Sequence, residues 1–179
     1  MKLTQWAILP GVLCSSLILI FLTGLISQPT TNAAASSQTS GDCGIKSSYP
    51  AAVRQWCALI ERHAAEQNLD PNLVAAVILE ESGGDPQAYS KSGAVGLMQV
   101  MPNDGVAAGF ECGDHPCFTN RPSTSQLLDP EFNIDYGTRL LGSLIQRNGS
   151  LRDALKAYGP IDVGYSYADT VISILTHYQ

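Results

Sequence analysis

Apolar residues recur along this chain at helical spacing, and strand-like alternation is weak throughout. From Tyr49 onward, Val53, Trp56, Cys57, Ile60 and Ala64 form one stripe, and Pro50 suits a first helical turn. Asn68 to Asp70 closes this first helix. Asp70-Pro71 is a start signal for a second, on which Val74, Val77 and Ile78 share a face and which Gly83-Gly84 stops after about Ser82. Residues 103–128 carry no strong period. Asp129-Pro130 opens a third helix, with Ile134, Gly137, Leu141, Leu144 and Ile145 on one face and Gly149 at its end. Ser150 with Asp153 has the form of a capping box for a short helix ending near Tyr158. A last helix carries Tyr167, Val171, Ile174, Leu175 and Tyr178 on one side. The predicted fold is mainly α: one helical domain over residues 49–179, with little or no β-sheet.

The beginning of the chain has another pattern. Lys2 precedes an apolar segment from Trp6 to Ile26, interrupted by Pro10-Gly11, and Ala33-Ala34-Ala35 follows. This is the layout of a secretory signal peptide cleaved near Ala33 or Ala35. The segment is also almost long enough to remain as an N-terminal membrane anchor. Both readings export the rest of the chain. Residues 1–35 are therefore expected to be leader or anchor, and residues 36–48, rich in Ser, Thr and Gly, a flexible linker. Leu13 precedes Cys14 where a lipoprotein anchor needs a small residue.

Cysteine usage agrees with export. Beyond Cys14, the chain has Cys43, Cys57, Cys112 and Cys117, an even number that permits three pairings. The favoured one joins Cys112 to Cys117 in a tight local loop and Cys43 to Cys57, tying the N-terminal tail to the first helix. The rival is a zinc ion on Cys112, His115 and Cys117, which lacks a fourth ligand and the usual CxxC pairs. No metal and no organic cofactor is implied. After residue 35, 9 Lys and Arg face 16 Asp and Glu, a net charge of −7 with no basic cluster, so nucleic-acid binding has no electrostatic support.

The chemistry rests on Glu81. It lies seven residues after Val74 and three after Ile78, on the apolar stripe of the second helix. A carboxyl group placed there loses hydration, which disfavours its charged form and raises its pKa. Such a group keeps its proton near neutral pH and acts as a general acid. Asp85, past the Gly83-Gly84 break, reads as a turn or capping residue.

The run from Glu81 to Pro102 resembles the signature of the soluble lytic transglycosylase family. Glu81-Ser82 matches its catalytic Glu-Ser pair, Ala88 and Ser90 fit the spacing that follows, and Gly93-Ala94-Val95-Gly96-Leu97-Met98-Gln99 matches its cleft loop. Met101-Pro102, then Asp129-Pro130 through Asn133-Ile134 and Gly137, then Ala157-Tyr158 continue the pattern in order. The resemblance implies a lysozyme-like fold and a peptidoglycan lytic transglycosylase. Glu81 would protonate the bond between N-acetylmuramic acid and N-acetylglucosamine, then serve as base towards the muramic 6-hydroxyl, closing a 1,6-anhydro ring. Gln99 would hydrogen-bond a sugar, while Ser90 and the backbone of Gly96, Leu97 and Met98 shape the cleft floor. Tyr158 and Tyr167 would line the cleft with their hydroxyls near Glu81. Peptidoglycan strands are the implied partner; a membrane enters only through an uncleaved leader. The chain departs from the family after Tyr158, where Gly159-Pro160-Ile161-Asp162 replaces an Asn-Ala-Gly run, and Asp162 and Tyr165 are the nearby residues that could take the place of that Asn on the cleft wall. Two other readings use the same scaffold: a goose-type-lysozyme-like muramidase in which water attacks, and a non-catalytic wall-binding module.

Overall fold

The computed structural model describes residues 43–178. The leader or anchor expected over residues 1–35, and the first part of the expected linker, lie outside the described residues. Helices dominate: α1 (Ala51–Arg54), α2 (Cys57–Glu66), α3 (Pro71–Ser82), α4 (Thr124–Leu127), α5 (Pro130–Asn148), α6 (Leu151–Tyr158) and α7 (Ser166–Tyr178). Among the described residues, β-structure is confined to isolated bridges such as Val95 with Val100. The mainly helical expectation holds.

The helix boundaries follow the chemistry of their ends. The Asp70 carboxylate accepts from the Asn72 N–H at 2.8 Å, Asp129 from the Phe132 N–H at 2.8 Å, and Ser150 from the Asp153 N–H at 3.1 Å. Each side chain satisfies a donor that the first helical turn leaves without a partner. Gly83 and Gly149 close α3 and α5.

Two elements differ from expectation. The single first helix is two, α1 and α2, with Trp56 in the turn between them. Its backbone N–H bonds Val53 O at 3.1 Å, a tighter step than an α-helix makes. Its indole N–H reaches Gly84 O at 3.0 Å, so a contact with the end of α3 diverts the chain. Helix α4 arises where no apolar period was visible. Its N-terminus is a capping box between Ser123 and Gln126, a Ser-x-x-Gln pattern legible in the sequence.

The core is built around α3. Every residue from Asn72 to Ile78 is buried, so the apolar stripe is in fact a segment enclosed on all sides. Helices α1, α2 and α7 pack on it, while α5 packs against α2, α4 and α6. Val74, Val77, Ile78, Leu97, Met98, Leu127, Ile134, Leu141, Leu155 and Val171 lose all solvent contact. Each such aliphatic side chain contributes about 1.5–3 kcal/mol on burial.

Residues 43–48 correct the linker expectation. Ile45 is buried in the core, the Lys46 N–H donates to Asn72 Oδ1 at 3.0 Å, and Cys43 is joined to Cys57 with their Cα atoms 6.1 Å apart. One apolar side chain and one covalent tie fasten this stretch to the domain. The second disulfide joins Cys112 to Cys117, Cα atoms 4.9 Å apart, and the Cys112 N–H bonds His115 O at 2.8 Å across the loop it closes. With both sulfurs in a disulfide, they are not available to the zinc arrangement considered from the sequence.

Candidate active site

Glu81 is the penultimate residue of α3, so the buried part of that helix delivers its carboxyl group to a partly covered position. The Tyr167 hydroxyl, on α7, donates to Glu81 Oε1 at 2.6 Å. Burial pushes the Glu81 carboxyl up to about 7. The Tyr167 hydrogen bond works the other way, and the charge of neighbouring Glu80 adds to the rise. Burial and the nearby carboxylate hold the Tyr167 phenol far above its ordinary range. It is therefore a fixed donor at any physiological pH. The Tyr158 ring stacks on Tyr167 with centroids 6.4 Å apart. The Tyr158 hydroxyl does not meet Glu81 as expected: it donates to Met98 O at 2.8 Å.

The loop after α3 is held from below. Ser82 Oγ lies 2.8 Å from Leu97 O and accepts from the Gly84 N–H at 3.2 Å, tying the helix end to the loop. Asn133, fully buried on α5, makes three bonds: its Oδ1 accepts from the Met98 N–H at 2.8 Å, and its Nδ2 donates to Val95 O and Leu127 O, both at 2.9 Å. Gly96 is required at its position. A Cβ there would meet the Asn133 side-chain amide and lie 2.6 Å from Leu127 O, and its φ of 76° is strained for other residues. From the sequence, Asn133 is legible only as part of the family pattern. Its place in the motif was visible, but its three partners come from segments far apart in the chain.

The predicted substrate residues fall into different places. Leu97 and Met98 are core residues, and both backbone groups of Met98 are taken up by Asn133 and Tyr158. What these two give the site is shape. Ser90 closes its own turn, exchanging bonds with Ala94. Gln99 has a φ of 45°, a conformation that costs a non-glycine residue on the order of 1 kcal/mol. Its Nε2 donates to Ala88 O at 3.1 Å and Gly96 O at 3.0 Å, which leaves the carbonyl oxygen as the group it offers outward. Asp85 is exposed and accepts from the Gln87 N–H at 2.8 Å, a turn residue as expected.

After Tyr158 the backbone has no room for a side chain. A Cβ on Gly159 would sit 2.5 Å from the Tyr167 ring, so the stack beside Glu81 excludes a side chain there. Two polar residues lie near this turn. The Tyr165 hydroxyl donates to Asp153 at 2.6 Å, and Asp162 is exposed in a turn of 3₁₀ helix.

One cluster among the described residues has metal-ligand chemistry: His63, Glu66 and Asp135. His63 Nδ1 lies 3.0 Å from Glu66 and 3.7 Å from Asp135. A metal-bound imidazole normally hands its other N–H to a partner. Here Nε2 is buried without one, and Asp135 is already paired with Arg139 at 2.7 Å. The arrangement fits a hydrogen-bonded polar cluster between α2 and α5 better than a metal centre.

Residues 58–163 match the family model of the transglycosylase SLT domain. The endo-type membrane-bound lytic murein transglycosylase A of Citrobacter koseri is 41% identical over 97 residues, covering 54% of this chain and 45% of the relative. Its counterpart in Klebsiella pneumoniae matches equally. The X-ray structure of an inactive Glu-to-Gln mutant of lytic transglycosylase Slt from Pseudomonas aeruginosa superposes with a TM-score of 0.54 at 25% identity, covering 73% of this chain and 24% of that one. The chain thus spans less than half the length of these relatives. The family match runs from α2 through the segment that follows α6, and so takes in Glu81, Gln99, Asn133 and Tyr158. By that match this chain belongs to the transglycosylase SLT domain family.

Proposed function

We propose that this protein is a peptidoglycan lytic transglycosylase with Glu81 as its catalytic acid and base. The observation that carries the reading is one carboxyl group, raised to about 7, at the end of a buried helix and held by a tyrosine hydroxyl. Tyr167 occupies Oε1, leaving Oε2 to carry the proton at neutral pH. Glu81 passes that proton to the bridging oxygen as the bond from the muramic C1 breaks. The carboxylate so formed is stabilised by the Tyr167 hydrogen bond. It then takes the proton of the muramic 6-hydroxyl as that oxygen bonds C1, closing the anhydro ring. No water is consumed, and Glu81 ends protonated as it began.

This chemistry suits a site with one working carboxyl group. Most glycosidases set two carboxyl groups on either side of the bond. The acids nearest Glu81 in sequence, Glu80 and Asp85, are both exposed, and Asp85 is occupied by its turn. An attacking hydroxyl carried by the substrate removes the need for a second carboxylate to activate water. The names of the relatives, murein transglycosylases described as membrane-bound, support the substrate class and an extracytoplasmic location for this chain.

Digestion of purified peptidoglycan in water enriched in heavy oxygen tests the reaction class. Released muramic ends without the label, one water lighter than the reducing form, are expected. Labelled reducing ends would make the protein a muramidase.

A further inference from the structure

Tyr167 is flanked along the chain by two residues that are each bonded to α6. Tyr165, two positions before it, donates its hydroxyl to Asp153 Oδ1 at 2.6 Å. Asp169, two positions after it, accepts from the Arg152 Nε and Nη2 groups at 2.7 and 2.9 Å, one on each oxygen. Arg152 and Asp153 both stand in the first turn of α6. The two ties share members. Arg152 also stacks on the Tyr165 ring, 4.0 Å from its centroid, and Lys156 lies 4.5 Å from the same centroid. The Ser150 hydroxyl donates to the other oxygen of Asp153 at 2.6 Å. An isolated ion pair at a surface holds little in place. A bidentate arginine that is stacked on a ring and joined to further hydrogen bonds fixes geometry.

Both ends of the network are anchored. On α6, Ala154 and Leu155 are buried, and the Tyr158 hydroxyl reaches Met98 O at 2.8 Å beneath the site. On α7, the Asp169 N–H bonds Tyr165 O at 2.9 Å, so the two tied residues close the first turn of the helix that carries Tyr167. Tyr167, Ala168 and Val171 are buried. Apolar packing is non-directional. It sets which face of α7 turns inward, and it does not fix where a hydroxyl stands along that face. The connection from α6 gives no help, since residues 160–164 are all exposed and Ile161 wholly so. The polar ties to α6 supply the missing constraint. They also persist while Glu81 titrates: the Ser150 and Tyr165 hydroxyls hold Asp153 below the usual carboxylate range, and Arg152 does the same for Asp169.

We propose that Arg152 and Asp153 are positioning residues for the reaction: through Asp169 and Tyr165 they set the first turn of α7 and so hold the Tyr167 hydroxyl against Glu81. This role rests on the transglycosylase reading. Neither residue touches the reacting atoms, and both act through Tyr167.

The test follows the Glu81 carboxyl by NMR in the full chain with ¹³C-labelled glutamate, its signal assigned by its loss in Glu81→Gln. The titratable groups that act on Glu81 are Glu80 on α3, Tyr167 on α7 and Tyr158 on α6, and Arg152→Met and Tyr165→Phe leave all three in place. A slackened Tyr167 bond raises the Glu81 pKa, because that bond lowers it. Arg152→Met should therefore hold the Glu81 proton about three-fold more tightly than wild type. Tyr165→Phe should shift the titration in the same direction. In a Tyr167→Phe background, Arg152→Met should change nothing further. On peptidoglycan, kcat for Arg152→Met should fall about three- to ten-fold with KM little changed, short of the hundred-fold that a displacement of about 1 Å can cost. A Glu81 titration that stays put or moves down in Arg152→Met would overturn the proposal. So would an equal shift in the Tyr167→Phe background, which would mean that the lost charge acts on Glu81 without Tyr167. The titration needs no turnover. Absence of anhydro ends from wild type would sink the proposed reaction and leave the titration to judge the ties. Anhydro ends from wild type with an unmoved titration in Arg152→Met would overturn the ties alone.

Discussion

The Tyr167 hydroxyl donates to Glu81 Oε1 at 2.6 Å and so joins the last helix to the acid at the end of α3. The two residues are 86 positions apart, yet this bond orients the carboxyl group and moderates how tightly it holds its proton. It lowers the Glu81 pKa against the larger effect of burial. Replacing Tyr167 by Phe removes that opposing effect. The alkaline limb of kcat/KM, expected near pH 7 for wild type, should then move upward while the rate on the plateau falls. A pH–rate profile in which the limb stays put or moves down would show that Tyr167 does not tune Glu81.

Glu81 also makes stability depend on pH in a direction opposite to most carboxylates. An ordinary glutamate titrates at 4.5, and Glu81 at about 7. The folded state thus holds the proton more tightly than the unfolded chain does. The stabilisation is complete below 4.5 and is lost as pH rises through about 7. The total is roughly 3 kcal/mol. Glu81→Gln keeps the shape and an acceptor for Tyr167 but never ionises. It should unfold at nearly the wild-type temperature at pH 4.5 and at a clearly higher temperature at pH 8. Thermal melts at both pH values check this, and equal melting temperatures at pH 8 would count against a raised pKa.

Asn133 holds the floor of the site with three buried bonds. Asn133→Ala leaves the Met98 N–H without its partner, together with two carbonyls. Urea unfolding should report a loss of about 3–5 kcal/mol, since each orphaned buried group costs about 1–3 kcal/mol and the side chain itself leaves a void. Asn133→Asp keeps the acceptor for Met98 but sets a carboxylate against Val95 O and Leu127 O, so it should be no better at neutral pH. A loss below about 1 kcal/mol for the alanine variant would mean that water or a shifted loop replaces these bonds.

Gly159→Ala tests how closely the place of the Tyr167 ring is set. The new methyl group would lie 2.5 Å from the Tyr167 ring and push it from its place beside Glu81. Displacement of a positioning group by about 1 Å can cost about a hundred-fold in rate. Activity should therefore fall by one to two decades, and because Tyr167 belongs to the buried core the overpacking should also cost about 1–3 kcal/mol of stability. Retained activity would place Gly159 outside the support of the site.

Much of the fold was legible in local chemistry. Asp70-Pro71, Asp129-Pro130, Gly83 and Gly149 mark helix ends that the structure places within a residue of their predicted positions. Glu81 was legible too, because helical spacing alone puts it in line with Val74 and Ile78. The break at Trp56 was not, since its cause is a hydrogen bond to Gly84, 28 residues away. The tight end of the linker turned on Ile45, one apolar residue in a polar stretch, whose burial no period announces. Tyr158 and Tyr167 were both expected beside Glu81, but which hydroxyl reaches it depends on how α6 and α7 pack, and Met98 O takes the other.

The most direct test of the central claim is mass analysis of the fragments released from intact peptidoglycan by the full chain and by Glu81→Gln. The account predicts 1,6-anhydromuramic ends from wild type, reduced about 10²–10⁴-fold in the variant, the range of a lost general acid. Anhydro ends released equally well by Glu81→Gln would contradict it.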